Sequence, residues 1–416
     1  MKKWISLFAI LALLTAQMPL AFAYDSRQEM RDAYQALGQF SGGTPYAQAP
    51  KIDAPYAPGE LEPDALLDAL DYLNFLRGLA GLDPVEMSRI YNYQCQHGAV
   101  LLAALDYVDH DVPQPEDMDS NFYDSAHLAT TSSNLAKFNW MRPGILREGI
   151  AYFVRDDGEA NLPVMGHRRW LLNPSMSATG FGLANSESGM SYVVMYAHDL
   201  GKPDVQWDYV AWPSEGYFPV ELMHTNLAWS ISLNPDRYDV QHSQIAVTLT
   251  AEELGLSFSF DCSSETGNGF CALSTENYGS GPCLIFRPDF AGQDFTDYQQ
   301  NQTWSVCVDG LRTWDGQSVQ LTYAVQMASL YPQEVVNLEL SQIEAQLHPG
   351  ERLQLTAAVI PSYADDLSVT WRSTDASVAS VDASGTVTAL APGQCEIVAE
   401  SANGSYDRCA VTILES

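Results

Sequence analysis

The sequence predicts an exported chain of several domains, a mixed helix-and-strand domain followed by two all-β domains. Its first residues read as a secretory signal. Helical periodicity and five of the eight histidines fall between residues 61 and 203. Beyond that lie short alternating runs separated by Gly, Pro and Asn, the pattern of β-strands.

Lys2 and Lys3 precede the apolar run Ile5 to Leu14, and Ala21-Phe22-Ala23 offers small residues for cleavage before Tyr24, so residues 1–23 read as a signal peptide. The run is too short to span a bilayer. No second long apolar stretch follows, so no transmembrane segment is expected after cleavage, and the predicted location is secreted or at the cell surface. Losing two lysines moves the formal charge from −32 to −34, with 18 Lys and Arg left against 52 Asp and Glu. Such a surface repels phosphate backbones, which excludes nucleic acid as a partner. An extracellular ligand or a cell-surface component stays open as partner, and nothing in the sequence sets the oligomeric state.

Residues 24–60 are rich in Ala, Pro, Gly, Gln and Ser and read as a leader or linker. In the first domain, 61–203, Pro63 and Asp64 open a run in which Leu66, Leu67, Leu70, Leu73 and Leu76 repeat at helical spacing. Asp83-Pro84-Val85-Glu86 has the composition of a second helix start, with Ile90, Tyr93, His97, Leu101, Ala104 and Val108 as its apolar stripe. Met190 to Ala197 reads as a buried strand. Residues 204–332 read as an all-β domain and 333–416 as a second.

Seven cysteines in an exported chain point to disulfides. Cys262 and Cys271 flank a short polar loop, Cys283 and Cys307 could close the same domain, and Cys395 and Cys409 could meet across a hairpin around Asn403-Gly404. Cys95 is left over and reads as a buried structural thiol.

Trp371, Ser373-Thr-Asp375, Val378-Ala379, Val381 and Gly385-Thr-Val-Thr-Ala-Leu-Ala-Pro-Gly393 follow one another in an order that resembles the bacterial Ig-like group 2 domain. That resemblance implies a β-sandwich used for presentation or adhesion. In the first domain the helix leading to His110, Asn134-Leu135-Ala136, Glu148-Gly-Ile-Ala-Tyr152, Gly166-His167-Arg-Arg-Trp170 and Gly180-Phe-Gly182 together resemble the CAP family (cysteine-rich secretory, antigen 5 and pathogenesis-related), in its bacterial SCP-like branch. The resemblance implies an α-β-α sandwich whose central cleft gathers two histidines and two acids. Carried over, these positions are His110, His167 and Glu148, with Ser133 where the second acid belongs.

Two imidazoles and one carboxylate could hold zinc or another divalent cation with a water as fourth ligand, so His110, His167 and Glu148 are candidate metal ligands. Hydrolysis would need a further base, which Ser133 does not supply. No His-Glu-x-x-His, Gly-x-Ser-x-Gly, phosphate-loop or CxxC motif occurs, and no catalytic residue is assigned. His97 reads as a core histidine and His127 as a loop residue. Arg168 and Arg169 could clamp a carboxylate ligand or pair with the many acids. The acids Asp106, Asp109, Asp111, Glu116, Asp117 and Asp119 lack the alternation of a calcium loop. Trp207, Trp212, Tyr217, Trp229 and Trp304 could form a glycan platform or a sandwich core. The function expected from sequence is an extracellular binding module with a cleft for a lipid-like or other small ligand or a cation; an extracellular hydrolase of peptide or wall material and a structural adhesin are the alternatives.

Overall fold

A computed structural model describes residues 24, 26–38, 42–139, 142–279 and 281–415; the predicted signal peptide lies outside them. Six α-helices are described: α1 (Arg27–Gln35), α2 (Pro63–Leu79), α3 (Arg89–Leu105), α4 (Ser120–Thr131), α5 (Ile145–Arg155) and α6 (Gly166–Leu171). Among the described residues no helix is long and apolar enough to cross a membrane.

The helical unit is organised on a three-stranded antiparallel sheet with Ser191–Tyr196 at its centre, between Ser133–Phe138 and Phe181–Asn185. Side chains alternate across a strand, and the central strand is apolar on both faces. Tyr192 and Val194 pack with Leu135, Ala184 and residues of α3 and α4, such as Ala99, Leu102 and Ala126. Val193 and Met195 pack on the other side with Phe181, Leu183 and residues of α2 and α5, such as Leu73, Leu76, Ile150 and Phe153. Helices therefore cover both faces. Two glycines set how closely: a Cβ on Gly182 would lie 2.0 Å from the Cys95 carbonyl oxygen of α3, and one on Gly149 of α5 would lie 2.6 Å from the Val193 side chain.

α2 begins at Pro63 as predicted, because a first-turn proline gives up a donor that has no helical acceptor there. α3 begins later than predicted. Ser88, whose hydroxyl accepts from Tyr91 N at 3.3 Å, is its cap, while Glu86–Met87 pair as a short parallel bridge with Ala178–Thr179. The later start also places the buried face elsewhere: Ile90 and Tyr93 are exposed, whereas Cys95, Ala99, Val100, Leu102 and Ala103 are buried between α4 and the sheet. His127, expected in a loop, lies on α4 and meets Asp111 at 2.9 Å.

Residues 209–328 build two facing sheets, one of four strands and one of six. Trp229 from the smaller sheet and Trp304 from the larger approach to 6.4 Å, and Phe260 meets Phe286 at 5.4 Å. Trp212, Trp229 and Trp304 are almost fully buried, so these aromatics form the sandwich core rather than a glycan platform. One hydrophobic core runs without a break from α2 and α5 into this sandwich. Residues 337–413 form a separate β unit with its own core around Leu355, Val387, Ile397 and Val411.

Cys262 and Cys271 are disulfide-bonded, with Cα atoms 5.4 Å apart. The other two predicted bridges are absent from the fold, and Cys283, Cys307, Cys395 and Cys409 are free thiols. The strand register explains the second pair: Cys395 faces Val411 and Cys409 faces Ile397, a diagonal offset of two residues, which exceeds the ~4.4–6.8 Å Cα span of a disulfide. Cys283 and Cys307 belong to opposite sheets of the sandwich. The segment read as a linker also differs from expectation. It carries α1, capped by Ser26, whose Met30 and Arg31 are buried.

Candidate functional site

Ser133 opens the strand Ser133–Phe138, His167 is tied to that strand through Asn134, His110 to the preceding helix through Thr130, and Glu148 lies on α5. Each is held by a different partner. His110, in the loop after α3, is exposed, and its Nδ1 lies 2.7 Å from the Thr130 carbonyl oxygen of α4. A carbonyl only accepts, so Nδ1 carries the proton and Nε2 is the lone-pair nitrogen of the neutral ring. Thr130 Oγ1 returns a bond to the His110 carbonyl at 2.9 Å, which fixes the loop on the helix.

His167, at the start of α6, has its Nδ1 3.0 Å from Asp156 Oδ1. Asp156 is buried, sits in a left-handed conformation at the end of α5, and also accepts from Asn161 Nδ2 at 2.9 Å and from the Arg168 backbone N at 3.2 Å. Asn161 Nδ2 lies 3.0 Å from the same ring nitrogen, so His167 Nδ1 faces both the Asp156 carboxylate and an amide donor, and the two together hold the ring in place. Phe153 lies 5.3 Å from the imidazole and Tyr152 6.1 Å. Asn134 Nδ2 donates to the His167 carbonyl at 2.9 Å and ties α6 to the edge strand.

The third histidine of this group is His198. Its backbone N donates to Ser132 O at 3.2 Å, and its ring packs on Trp170 with centroids 4.1 Å apart. Trp170 is three residues beyond His167 on α6, hence on a neighbouring face. Loss of water around the His198 ring, and secondarily the charge of His110, hold its pKa below the usual imidazole value. A depressed histidine pKa disfavours the charged form in the folded state. The unfolded chain therefore binds the proton first, and this group's contribution to stability is complete above about pH 6.5 and declines as pH falls below it. His110→Ala, which removes the like charge, is expected to raise the His198 pKa, as read from ring-proton NMR titrations of the two proteins.

Glu148 and Ser133 take no part in a metal centre. Glu148 Oε1 is ion-paired with Arg142 at 2.8 Å. Ser133 is buried, its hydroxyl 3.8 Å from the Cys95 sulfur. Among the described residues no group of three or more His, Cys, Asp or Glu side chains could hold a metal ion, so His110, His167 and Glu148 do not assemble as the zinc or divalent-cation ligands expected from sequence. Cys95 is equally unsuited to chemistry, since burial pushes its thiol up to about 12.

Arg168 and Arg169 do not face a ligand. Arg168 is almost fully buried and donates to the carbonyls of Val154 (2.6 Å), Arg155 (2.7 Å) and Ala228 (2.7 Å). Arg169 donates to the carbonyls of Val164, Glu276 and Gly281. Both pin α6 to the sandwich. The acidic run is dispersed in the same way: Asp106 meets Lys137 and Tyr192, Asp111 meets His127, Asp117 meets Tyr56, and Asp119 caps α4. His97 is a core histidine, with Nδ1 2.7 Å from Tyr93 O and the Phe122 ring at 4.3 Å. Sequence reasoning missed Asp156 and Trp170 and left His198 without a role. Asp156 stood in Arg155-Asp-Asp-Gly158, which reads as a turn; its signal was an acid eleven residues before a histidine that opens a helix.

Comparison with known proteins bears on the C-terminal unit. The family model for the bacterial Ig-like domain (group 2) matches residues 334–411. Residues 334–411 are a bacterial Ig-like domain. In the Ig-like domain the signature Gly385 has a φ of +83° and sits where a Cβ would come within 2.5 Å of Leu355 O and 2.8 Å of the Trp371 ring, so two signature residues share one contact. A lacto-N-biosidase of Bifidobacterium bifidum is 45% identical over 69 residues, 17% of this chain and 6% of its own length. An α-L-arabinofuranosidase of Bifidobacterium longum is 33% identical over 115 residues, 28% of this chain and 10% of its own. The chain thus spans a tenth or less of these curated relatives. Among solved structures, an intimin mutant from EHEC O157:H7 is 20% identical and covers 18% of this chain and 46% of its own, with a TM-score of 0.16. Domains 4 and 5 of the S-layer protein SbsC are 15% identical and cover 40% of this chain and 99% of their own, with a TM-score of 0.20. Likenesses this partial carry nothing about function.

Proposed function

We propose that this is an exported binding protein in which residues 61–203 form a CAP-type α-β-α unit and the Ig-like domain holds that unit at or near the cell surface. The ligand class is a molecule with an apolar body and a hydrogen-bonding head, lipid-like or sterol-like. One observation carries the reading: the rings of His110 and His167 are each held through Nδ1, His110 by the Thr130 carbonyl and His167 by Asp156 and Asn161. Rings held this way lose little freedom on binding. The half-buried Trp170 and Tyr152 supply apolar surface, Trp170 beside His198 and Tyr152 beside His167. Helices on both faces of a three-stranded sheet support the CAP assignment, and the Cys262–Cys271 disulfide supports export to an oxidising compartment. Hydrolysis is not favoured, because Glu148 is engaged by Arg142 and Ser133 by the interior.

The test is titration of the mature chain with a fluorescent sterol and with a fluorescent fatty acid. The wild type is expected to bind at least one, and the His110→Ala, His167→Ala double variant to bind it at least about tenfold more weakly, ~1.4 kcal/mol. Equal affinity in both proteins, or no binding of either probe, contradicts the proposal.

A further inference from the structure

The mature N-terminus meets the seam between the sandwich and the Ig-like domain. Arg31, 4% exposed on α1, donates from Nε to Ser329 O (2.9 Å) and from Nη2 to Tyr331 O (2.9 Å) and Gln300 Oε1 (3.2 Å), all on the sandwich side. The same guanidinium reaches across to Asp365 of the C-terminal unit, with Nη1 2.6 Å from Oδ2 and Nη2 3.0 Å from Oδ1. Arg27, one turn earlier, adds a contact to Asp365 Oδ1 at 2.9 Å. Gln300 Nε2 and the Gln333 backbone N donate to the same carboxylate at 2.8 and 3.0 Å. Tyr34 of α1 packs edge-on against Tyr331, the last residue before the connecting segment, with centroids 5.9 Å apart. One carboxylate on the Ig-like domain is thus held by two arginines of the N-terminal helix and by two groups of the sandwich and connector.

We infer that α1 is an interdomain clamp: through Arg27 and Arg31 it holds Asp365 against the seam, fixes the angle at which the Ig-like domain is carried, and would release that domain if the N-terminal segment were removed. The geometry supports a clamp over a passive surface helix on two grounds. The bidentate Arg31–Asp365 pair is directional, and Arg31 is too buried to be left without its partner at little cost. The clamp does not depend on the proposed ligand binding by the helical unit.

The experiment uses the full mature chain. The backbone N of Gln333 is held by Asp365 Oδ2, so a glutamate-specific protease can draw the connector into its active site and cut after the next residue, Glu334, only once that carboxylate lets go; mass spectrometry of the released Ig-like domain then reports opening of the seam. Arg31→Ala and Asp365→Asn are each expected to speed that cleavage at least about tenfold, because cleavage tracks the population of the open state. Both should also raise the radius of gyration in small-angle X-ray scattering. Asp365→Asn changes no volume and lies outside α1, so it tests the clamp even where Arg31→Ala loosens the helix itself. Wild-type cleavage rates and an unchanged radius of gyration in Asp365→Asn would overturn the inference.

Discussion

Replacing Arg168 by alanine is expected to destabilise the protein by at least about 4 kcal/mol, the range seen when one partner of a buried, fully hydrogen-bonded charge is removed. The guanidinium sits between α5 and the sandwich strand Trp229–Leu233, donating to Val154, Arg155 and Ala228 carbonyls and to Ser230 Oγ. Burial lowers its pKa to about 10, with nearby Asp156 opposing the shift, so it stays charged at neutral pH. Truncation strands three carbonyl oxygens in a core that runs through both units, each costing roughly 1–3 kcal/mol unpaired. Arg168→Lys should lose nearly as much, since a single ammonium cannot serve acceptors splayed in a plane. Urea denaturation followed by tryptophan emission checks this; a loss below about 1 kcal/mol for Arg168→Ala would show that the units are not joined through this residue.

The second large effect is expected from Gly182→Ala. Gly182 lies on the strand Phe181–Asn185 where α3 crosses it, and an added Cβ would come within 2.0 Å of Cys95 O, 2.2 Å of Cys95 C and 2.6 Å of Gln96 N. All three are backbone atoms, which cannot rotate away. The helix must lift off the sheet, breaking the bonds by which Gln96 Nε2 donates to Leu183 O and Leu183 N to Gln96 Oε1. A loss of about 3 kcal/mol or more is expected, at the upper end of overpacking costs, visible as a thermal midpoint lowered by several degrees. Gly189→Ala, at a turn with open space around it but a φ of +84°, should cost about 1 kcal/mol by backbone strain alone.

How much of this was legible in the sequence depended on whether the signal was local. α2 was readable because Pro63 and the leucine spacing lie within the helix itself, and the Ig-like domain because Trp371 and Gly385-Thr-Val-Thr carry its turn and core in one run. The start of α3 was misread because Asp83-Pro84 has the composition of a cap, while the choice fell to a tertiary pairing of Glu86–Met87 with a segment about ninety residues away. α1 escaped notice because its nine residues are mostly polar and only Met30 and Arg31 are buried; the burial of Arg31 comes from partners about three hundred residues on. Register decided the cysteines: Cys395 and Cys409 are on neighbouring strands but diagonal. The site residues were placed in one region, but the groups that orient them, Thr130 and Asp156, follow from helix ends that composition does not reveal. Glu148 was misjudged as a ligand because Arg142, six residues before it, was not weighed as its partner.

The proposal that matters most is that the two held imidazoles, His110 and His167, meet the polar head of a bound ligand. Long-range ¹H–¹⁵N NMR of histidine-labelled protein tests it directly. The neutral ring of His110 is expected to carry its proton on Nδ1, and addition of the probe that binds best should shift the Nε2 resonances of His110, His167 and His198 more than those of His97 or His348. A neutral His110 protonated on Nε2, or a bound probe that leaves all three resonances in place, would contradict the account.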